Sequence, residues 1–241
     1  VPARATISAA PPSGASVAQT GLTTLAPAAA KMDAAALSNL TIATFQQGVN
    51  GYTGARDTYI EAVHPDTNYN NADRLTLSTR GYEENRSLIK FELSSIPANA
   101  QVVKATLDVY VVSQGSGTVC FAAYDLKRAW EAAQSTWKVY STGNPWGQAG
   151  AKDTTRDRAG TYLPGFRLPL TVNNVWSSLN VTEPAREWLR DPASNNGVLL
   201  LASGPTGTQF GLASSEYGAA DAHANRHSHT HGHCDAHADG L

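Results

Sequence analysis

The fold of this chain is decided by the stretch RSLIKFELSSIPANAQVVKATLDVYVV, which spans residues 86–112. It predicts two β-strands, at residues 88–93 and 102–112, in which apolar and polar side chains alternate on both sides of a turn that contains Pro97. Alternation with a period of two places one strand face against a core and the other toward water. The stretch therefore predicts a sheet of a β-sandwich or a barrel.

Seven more short strands are predicted along the chain, separated by turn clusters such as DTNYNNAD, SNNG and GPTG. A short helix is predicted within NVTEPAREWL, with Thr182 as its N-cap and Pro184 in its first turn. Many short strands with one helix predict an all-β fold, a jelly-roll-like antiparallel β-sandwich with one short helix. The seven strands are predicted at residues 41–46, 58–63, 75–78, 119–124, 178–181, 198–202 and 209–213.

Composition divides the chain into three regions. Residues 1–38 are rich in Ala, Ser, Thr and Pro and contain no aromatic residue, so we expect a low-complexity N-terminal arm or linker. Residues 39–218 carry the predicted strands and are expected to form the β-sandwich module. Residues 219–241 are predicted to be a His-rich, irregular tail.

Charge and motif content argue against several functional classes. The 18 basic and 20 acidic residues give a formal net charge of −2, and the basic residues are scattered, so nucleic acid is not an expected partner. The chain contains no run of 18 apolar residues, and we predict no membrane span. No GxSxG, HExxH or Gly-rich phosphate loop occurs, so no enzymatic activity is predicted. The low charged fraction of 16% and the Thr-rich flanks favour a secreted or cell-surface protein.

The C-terminal tail has two interpretations. Every odd position from 221 to 239 is His, Asp or Asn. In an extended chain His227, His229, His231 and His233 would project from one side and could bind Zn²⁺, Cu²⁺ or Ni²⁺. Codons for these three residue types all end in A followed by a pyrimidine. Where that pyrimidine is C, reading one base later gives a triplet that begins with AC and encodes Thr. The interpretation that we favour is therefore a frame-shifted Thr-rich linker, which sequencing of the DNA would test.

Eight pieces of the chain carry a resemblance to a known family. In chain order they are DTYI, NYNNADRLTL, RSLIKFELSSIP, ATLDVYV, AYDLKRAWEAAQSTW, LNVTEPAREWL, NNGVLLL and FGLASSE. Together they resemble the DNRLRE-type domain, which is grouped with carbohydrate-binding module family 96 and related to repeats found beside archaeal disaggregatase. The resemblance covers roughly residues 43–217. It implies a β-sandwich of secreted and cell-surface proteins that is noncatalytic and holds a polysaccharide or cell-wall glycan.

One element of the family is missing. Its members usually carry a further strand after the Ser-Ser-Glu piece, and here the His-rich tail stands in its place. A missing strand leaves an unpaired sheet edge, which invites strand addition. The N-terminal arm could fill that edge in its own subunit, or residues 22–25 or 41–45 could fill it in a neighbour. The alternative prediction is thus a structural subunit of a cell-surface layer, stalk or extracellular filament, assembled by strand addition from copies of itself.

Candidate glycan-binding residues lie in the aromatic and basic segment 130–158. Sugar rings stack on exposed aromatic faces while polar side chains bind their hydroxyls. Trp146 lies in the Gly- and Pro-marked loop GNPWGQ, which predicts exposure, and Tyr140 lies close by in sequence. An acidic polysaccharide such as alginate would need basic partners, because arginine forks onto carboxylates. These partners are predicted at Lys138, Lys152, Arg156 and Arg158, with an ordinary solvated loop balanced by Asp153 and Asp157 as the alternative.

Two further expectations concern structure rather than glycan binding. Trp130, Trp137 and Trp188 match framework positions of the resembled family and are expected in the core. A structural calcium ion is a candidate cofactor, because Asp57, Asp66 and Asp73 fall in loop-like contexts and calcium prefers carboxylate and carbonyl oxygens, but no DxDxDG spacing is present to define its ligands.

Overall fold

The computed structural model describes residues 2–10, 40–79, 84–114, 119–168, 174–203 and 209–217. Within these ranges the chain forms thirteen β-strands, one α-helix and a 3-10 turn at Pro192–Ser194, which confirms the predicted all-β fold with one short helix. Helix α1 spans Thr182–Arg190. The strands are β1 (Arg4–Ala10), β2 (Thr41–Gln46), β3 (Ala55–Glu61), β4 (Arg74–Ser78), β5 (Asn85–Phe91), β6 (Gln101–Gln114), β7 (Val119–Asp125), β8 (Val139–Ser141), β9 (Asn144–Pro145), β10 (Leu163–Leu168), β11 (Val175–Asn180), β12 (Val198–Ser203) and β13 (Gln209–Ala213).

The strands form a curled antiparallel sheet that folds into two layers. Layer A has the order β3-β5-β12-β7-β10, and layer B has the order β2-β1-β6-β11. β4 and β13 connect the layers, because β4 pairs with β5 and with β13, and β13 pairs in turn with β6. The result is a β-sandwich.

The inner faces of both layers enclose the main apolar core. In β6 every second side chain points inward, so Ala105, Leu107, Val109 and Val111 are buried. This is the strand whose alternation is visible in the sequence. Helix α1 closes one end of the sandwich with residues that recur at helical spacing. These residues are Ala185, Trp188 and Leu189.

Layer A is buried on its outer face as well. In β12, Val198 and Leu200 point into the main core, while Leu199 and Leu201 belong to a second apolar cluster on the opposite side. A strand that is covered on both faces reads as a continuous apolar run, as VLLLA does here. The cover is residues 126–162, called the covering segment below.

The three framework tryptophans are in the core, as predicted. Trp130 is 6% exposed, and Trp137 and Trp188 are each 9% exposed. Trp130 and Trp137 belong to the second cluster under the covering segment, whereas Trp188 belongs to the main core.

The prediction of an N-terminal linker is wrong for Arg4–Ala10. These residues form β1 and lie between β2 and β6 in layer B. Ala5, Ile7 and Ala9 point into the core, with neighbouring strands supplying most of the buried apolar surface. A segment too poor in large apolar residues to fold alone can still be ordered by two flanking strands. Residues 11–39 and 218–241 lie outside the described residues, and there the linker and tail predictions stay predictions.

Some element boundaries differ from the prediction. β8, β9 and β10 were not expected, and the strand predicted at residues 178–181 is β11, which starts earlier, at Val175. Thr182 is not the N-cap of α1, because the cap position is Val181 and no side chain caps the helix. The Thr182 hydroxyl instead accepts a hydrogen bond of 3.0 Å from the backbone N–H of Ala105 in β6.

Candidate functional site

The covering segment carries most of the predicted ligand-binding residues, and it is packed as a second core. Trp146 donates its indole N–H to the carbonyl of Thr136 at 2.9 Å, and Trp130 donates to that of Asn196 at 2.8 Å. Gly150 has a φ of +81°, and a Cβ at this position would lie 2.6 Å from the ring of Trp137. Only glycine fits such a conformation and approach without strain.

Asp157 organises the turns of the covering segment. Its carboxylate is fully buried and accepts hydrogen bonds from the backbone N–H groups of Gly147, Gln148 and Asp153. Arg128 adds a side-chain hydrogen bond of 3.2 Å to the same carboxylate. A buried carboxylate is stable only when such donors satisfy it. Asp157 is therefore structural and is not the solvated compensating charge that the alternative prediction assumed.

A buried charge network fixes the covering segment to layer A. Arg86 is 1% exposed and donates to Glu84 at 2.7 Å and to the carbonyl of Gly150 at 3.1 Å. Lys152 lies 3.0 Å from the second Glu84 oxygen and 5.4 Å from the centre of the Trp137 ring. Burial opposes ionisation of Glu84, but the charges and hydrogen bonds of Arg86 and Lys152 outweigh it and lower the Glu84 pKa. Lys152, a predicted ligand-binding residue with a side chain that is 36% exposed, is thus already paired with Glu84.

Two other predicted ligand-binding residues are inaccessible. Trp146 is 4% exposed, so the prediction that it lies open in a loop is wrong. The GNPWGQ motif does mark a turn, but the indole fills the second apolar cluster. Arg158 is 5% exposed, lies 4.1 Å from the centre of the Tyr124 ring and donates to the carbonyl of Ala159. Neither side chain can meet a glycan in this fold.

The remaining predicted residues do reach the surface. Tyr140 is partly exposed, and its ring is held between Trp146, at 5.7 Å, and the guanidinium of Arg128, at 4.6 Å. Lys138 is exposed and lies 2.7 Å from an Asp66 oxygen. Tyr140 is therefore a rigid aromatic edge with a flexible cation close by in the chain.

Arg156 is exposed on another turn of the same segment. Its Nε donates to Asp153 at 2.6 Å, and its Nη2 donates to the carbonyl of Gly147 at 3.4 Å. The Arg156 hydrogen bond lowers the pKa of Asp153, which keeps that carboxylate charged. Four of the six predicted ligand-binding residues therefore reach the surface, namely Lys138, Tyr140, Lys152 and Arg156.

A second aromatic group includes Tyr69, a residue whose sequence context favours a solvated loop over the flank of a groove. Tyr59 of β3 and Tyr69 stack with ring centres 4.1 Å apart and planes at 16°. Glu61 accepts hydrogen bonds from the Tyr69 hydroxyl and, at 2.8 Å, from His64. These bonds outweigh burial and lower the Glu61 pKa. The sequence signal is weak, since Tyr59 lies in a strand and Tyr69 ten residues later in a polar loop.

The loop that carries Tyr69 is attached to the covering segment. Asn68 donates from Nδ2 to the carbonyls of Ala132 and Ser135, both at 2.7 Å. The backbone N–H of Lys138 donates to the carbonyl of Pro65 at 3.3 Å. The two aromatic groups are thus parts of one region, which is defined by His64, Tyr69, Lys138 and Tyr140.

The carboxylates predicted as calcium ligands, Asp57, Asp66 and Asp73, do not form one cluster. In the described part of the chain no three His, Cys, Asp or Glu side chains form a group that could hold a metal ion. Asp66 pairs with Lys138 on the surface, and Asp73 is exposed beside Arg74. The predicted zinc, copper or nickel ligands His227, His229, His231 and His233 lie outside the described residues.

Asp57 is the exception among the predicted calcium ligands, because it is 3% exposed. Its Oδ2 accepts a hydrogen bond of 2.9 Å from the backbone N–H of Ser215, while its Oδ1 has no hydrogen-bond partner among the described residues. Burial, and next the charge of Glu216, raise the Asp57 pKa to about 7. An unpartnered buried oxygen of this kind can accept a proton or a cation.

No helix in the described ranges is long and apolar enough to cross a bilayer. Residues 50–140 match the family model of carbohydrate-binding module family 96. The matched range includes β3 to β7 and the residues His64, Tyr69 and Lys138, and it ends at Tyr140. No curated protein matches the chain.

Proposed function

We propose that the chain is a secreted, noncatalytic module that binds a polysaccharide or cell-wall glycan. The observation that carries the proposal is the match of residues 50–140 to the family model of carbohydrate-binding module family 96. The region of His64, Tyr69, Lys138 and Tyr140, called the glycan surface below, supports it, since its aromatic and polar side chains lie inside the matched range and reach solvent.

The chemistry of the glycan surface suits a sugar chain. Tyr140 and Tyr69 offer aromatic carbon surface to sugar rings, while His64 offers a hydrogen bond to hydroxyl groups. Among the described residues, the Lys138 ammonium group pairs with the exposed carboxylate of Asp66, and exposed ion pairs contribute little stability. Lys138 can therefore turn to the carboxylate of an acidic sugar at small cost. Affinity at one such shallow site is modest, and repetition of the glycan would raise it by avidity.

Affinity electrophoresis of the full chain through acidic and neutral polysaccharides tests the proposal. Retardation by at least one polymer is expected. Tyr140→Ala should weaken that retardation about tenfold, which corresponds to about 1.4 kcal/mol. Lys138→Ala should also weaken retardation by an acidic polymer. Its matched control is Lys104→Ala, because Lys104 is an exposed lysine of β6 in the opposite layer. A folded chain that no polymer retards would overturn the proposal, and equal effects of Lys138→Ala and Lys104→Ala would remove Lys138 from the site.

A structural calcium ion at Asp57 is part of the same proposal. The unpartnered Oδ1 of Asp57 and the nearby charge of Glu216 support it, since calcium takes carboxylate oxygens. Calcium at millimolar concentration should raise the melting temperature over that in EDTA, and Asp57→Asn should abolish the difference. Identical melting with calcium and with EDTA would exclude the ion.

A second candidate function is a structural subunit of a cell-surface layer, stalk or extracellular filament. The observation that favours it is the position of β1, an N-terminal strand that completes the interior of layer B. In such a subunit β1 would supply the contact between neighbouring molecules.

A further inference from the structure

β1 lies in the interior of layer B although it is the first strand of the chain. Six of its residues pair with β2 and seven pair with β6. In the described part of the chain β2 pairs with β1 alone. Without β1, the edge of β6 would be open and β2 would be detached, so β1 occupies a slot between two strands that other parts of the chain supply.

The connection from β1 to β2 is far longer than the geometry needs. The two strands are antiparallel, and Ala9 lies opposite Thr41, so the end of β1 and the start of β2 are neighbours. A hairpin turn of two to five residues would join them. The chain instead places thirty residues, 11–40, between them. Thirty residues can span up to about 100 Å, which is enough for β1 to reach the slot of a neighbouring molecule.

Side-chain packing holds β1 less strongly than main-chain pairing does. Its inward side chains are small except for Ile7, and an apolar cavity borders both Ala5 and Ile7. Removing Ala side chains from water contributes little compared with Leu or Phe. The strand is thus bound mainly through its two ladders of backbone hydrogen bonds, which is also how an added strand binds to a sheet in other complexes.

One charged contact sets the register of β1 in its slot. Arg4 donates to Asp108 of β6 at 2.9 Å, and its guanidinium lies 4.3 Å from the centre of the Trp176 ring in β11. Ser178 donates a second hydrogen bond to the same Asp108 carboxylate. Every copy of the chain presents this receptor for an arginine at the same place. A strand from another copy would therefore find the same register.

We infer that β1 is an exchangeable strand and that its partner is a second copy of this chain. In the exchanged state β1 of one molecule fills the slot between β2 and β6 of the other. Reciprocal exchange closes a dimer, whereas exchange in one direction continues into a filament. The exchange gives the second candidate function its contact, and it does not depend on glycan binding.

A disulfide across the register tests the exchange. Thr6 of β1 lies opposite Thr106 of β6, and both side chains are partly exposed on the outer face. Facing residues of an antiparallel pair lie close enough for such a bond. One variant carries Thr6→Cys and the other Thr106→Cys, both in a background of Cys120→Ala and Cys234→Ala, with a size tag on one. The two are refolded together at high concentration, oxidised and separated on a non-reducing gel.

Exchange predicts a disulfide-linked heterodimer at least tenfold more abundant than in a control that pairs Thr6→Cys with Thr155→Cys. Thr155 is exposed on the covering segment, outside layer A, and is out of reach of β1 in layer B. The double variant Thr6→Cys/Thr106→Cys in one chain reports whether the register is formed at all. An intrachain bond there with heterodimer at the control level would overturn the exchange, as would the absence of both bonds. Affinity electrophoresis of the same samples reports glycan binding separately, so the two proposals fail independently.

Discussion

Arg4 donates a hydrogen bond of 2.9 Å to Asp108, so two residues 104 positions apart in the sequence join β1 to β6. The Arg4 side chain is 26% exposed and that of Asp108 only 8%. Partial burial reduces the screening by water and salt that weakens surface ion pairs. The N-terminal strand is therefore held by a specific charged contact in addition to its backbone pairing.

Removal of this contact should destabilise the fold. We expect Arg4→Ala to lower the free energy of unfolding by about 1–3 kcal/mol, because Asp108 then loses a charged partner while it stays buried. Urea unfolding at fixed pH measures the change. Arg190→Ala is the control, since the Arg190 side chain is 75% exposed in its pair with Glu187 and exposed pairs contribute little stability. Equal losses for the two variants would contradict the structural role of Arg4.

Substitution of Trp146 should mainly lower stability, whereas substitution of Tyr140 should mainly lower glycan affinity. Trp146→Ala empties part of the second cluster and should cost about 3–5 kcal/mol of stability. Tyr140→Ala should weaken glycan binding with a much smaller loss of stability, because Tyr140 is only partly buried. Thermal unfolding and affinity electrophoresis of both variants separate the two effects. A Trp146→Ala variant that melts like the wild type would show that the indole is not part of the core.

Gly150 should tolerate no side chain. Gly150→Ala introduces a Cβ 2.6 Å from the Trp137 ring at a φ of +81°, so we expect clear destabilisation. Gly143→Ala is a matched control, since Gly143 has a φ of +77° but no atom within 4 Å of an added Cβ. The control isolates the backbone strain, about 1 kcal/mol, from the clash with the ring. Melting temperatures of the two variants give the comparison, and equal values would remove the clash from the explanation.

Stability should depend on the ionisation of Asp57. Its pKa is raised from an ordinary value of 3.8 to about 7, so the folded chain holds this proton more tightly than the unfolded chain does. The favourable contribution is complete below pH 4 and is lost as the pH rises toward 7, at about 1.4 kcal/mol per pH unit at most. Asp57→Asn should remove this fall in urea unfolding measured from pH 4 to pH 8.

Asp125 changes stability in the same direction, since burial raises its pKa to about 6. The test of Asp57 is therefore the difference between wild type and Asp57→Asn at each pH, in which the Asp125 contribution cancels. A difference that is constant with pH would contradict the raised pKa of Asp57.

Strand prediction from sequence succeeded where the signal is local. The bounds of β2 and β13 agree with the predicted ranges 41–46 and 209–213, and β6 and β12 agree within two residues at each end. In these strands the side-chain alternation or the apolar run reports directly which faces are covered.

β1 and Trp146 show where local signals stop. The alanines of β1 bury little apolar surface of their own, and the order of the strand comes from pairing with β2 and β6. The Gly and Pro residues around Trp146 correctly mark a turn. Whether a turn is exposed depends on what lies beneath it, and here the outer face of layer A needs cover for Leu88, Leu199 and Leu201.

The sequence by itself determined the all-β architecture and the two strands within residues 86–112, because alternation and apolar runs are properties of neighbouring residues. The family resemblance added the core positions of three tryptophans. Only the tertiary structure decided which strands pair, with β5 and β6 in opposite layers, and which residues reach the surface. The loop that carries Tyr69 is attached to the covering segment that carries Lys138, while Trp146 and Arg158 are buried. Exposure and convergence are set by contacts between residues far apart in the chain, and no local pattern encodes such contacts.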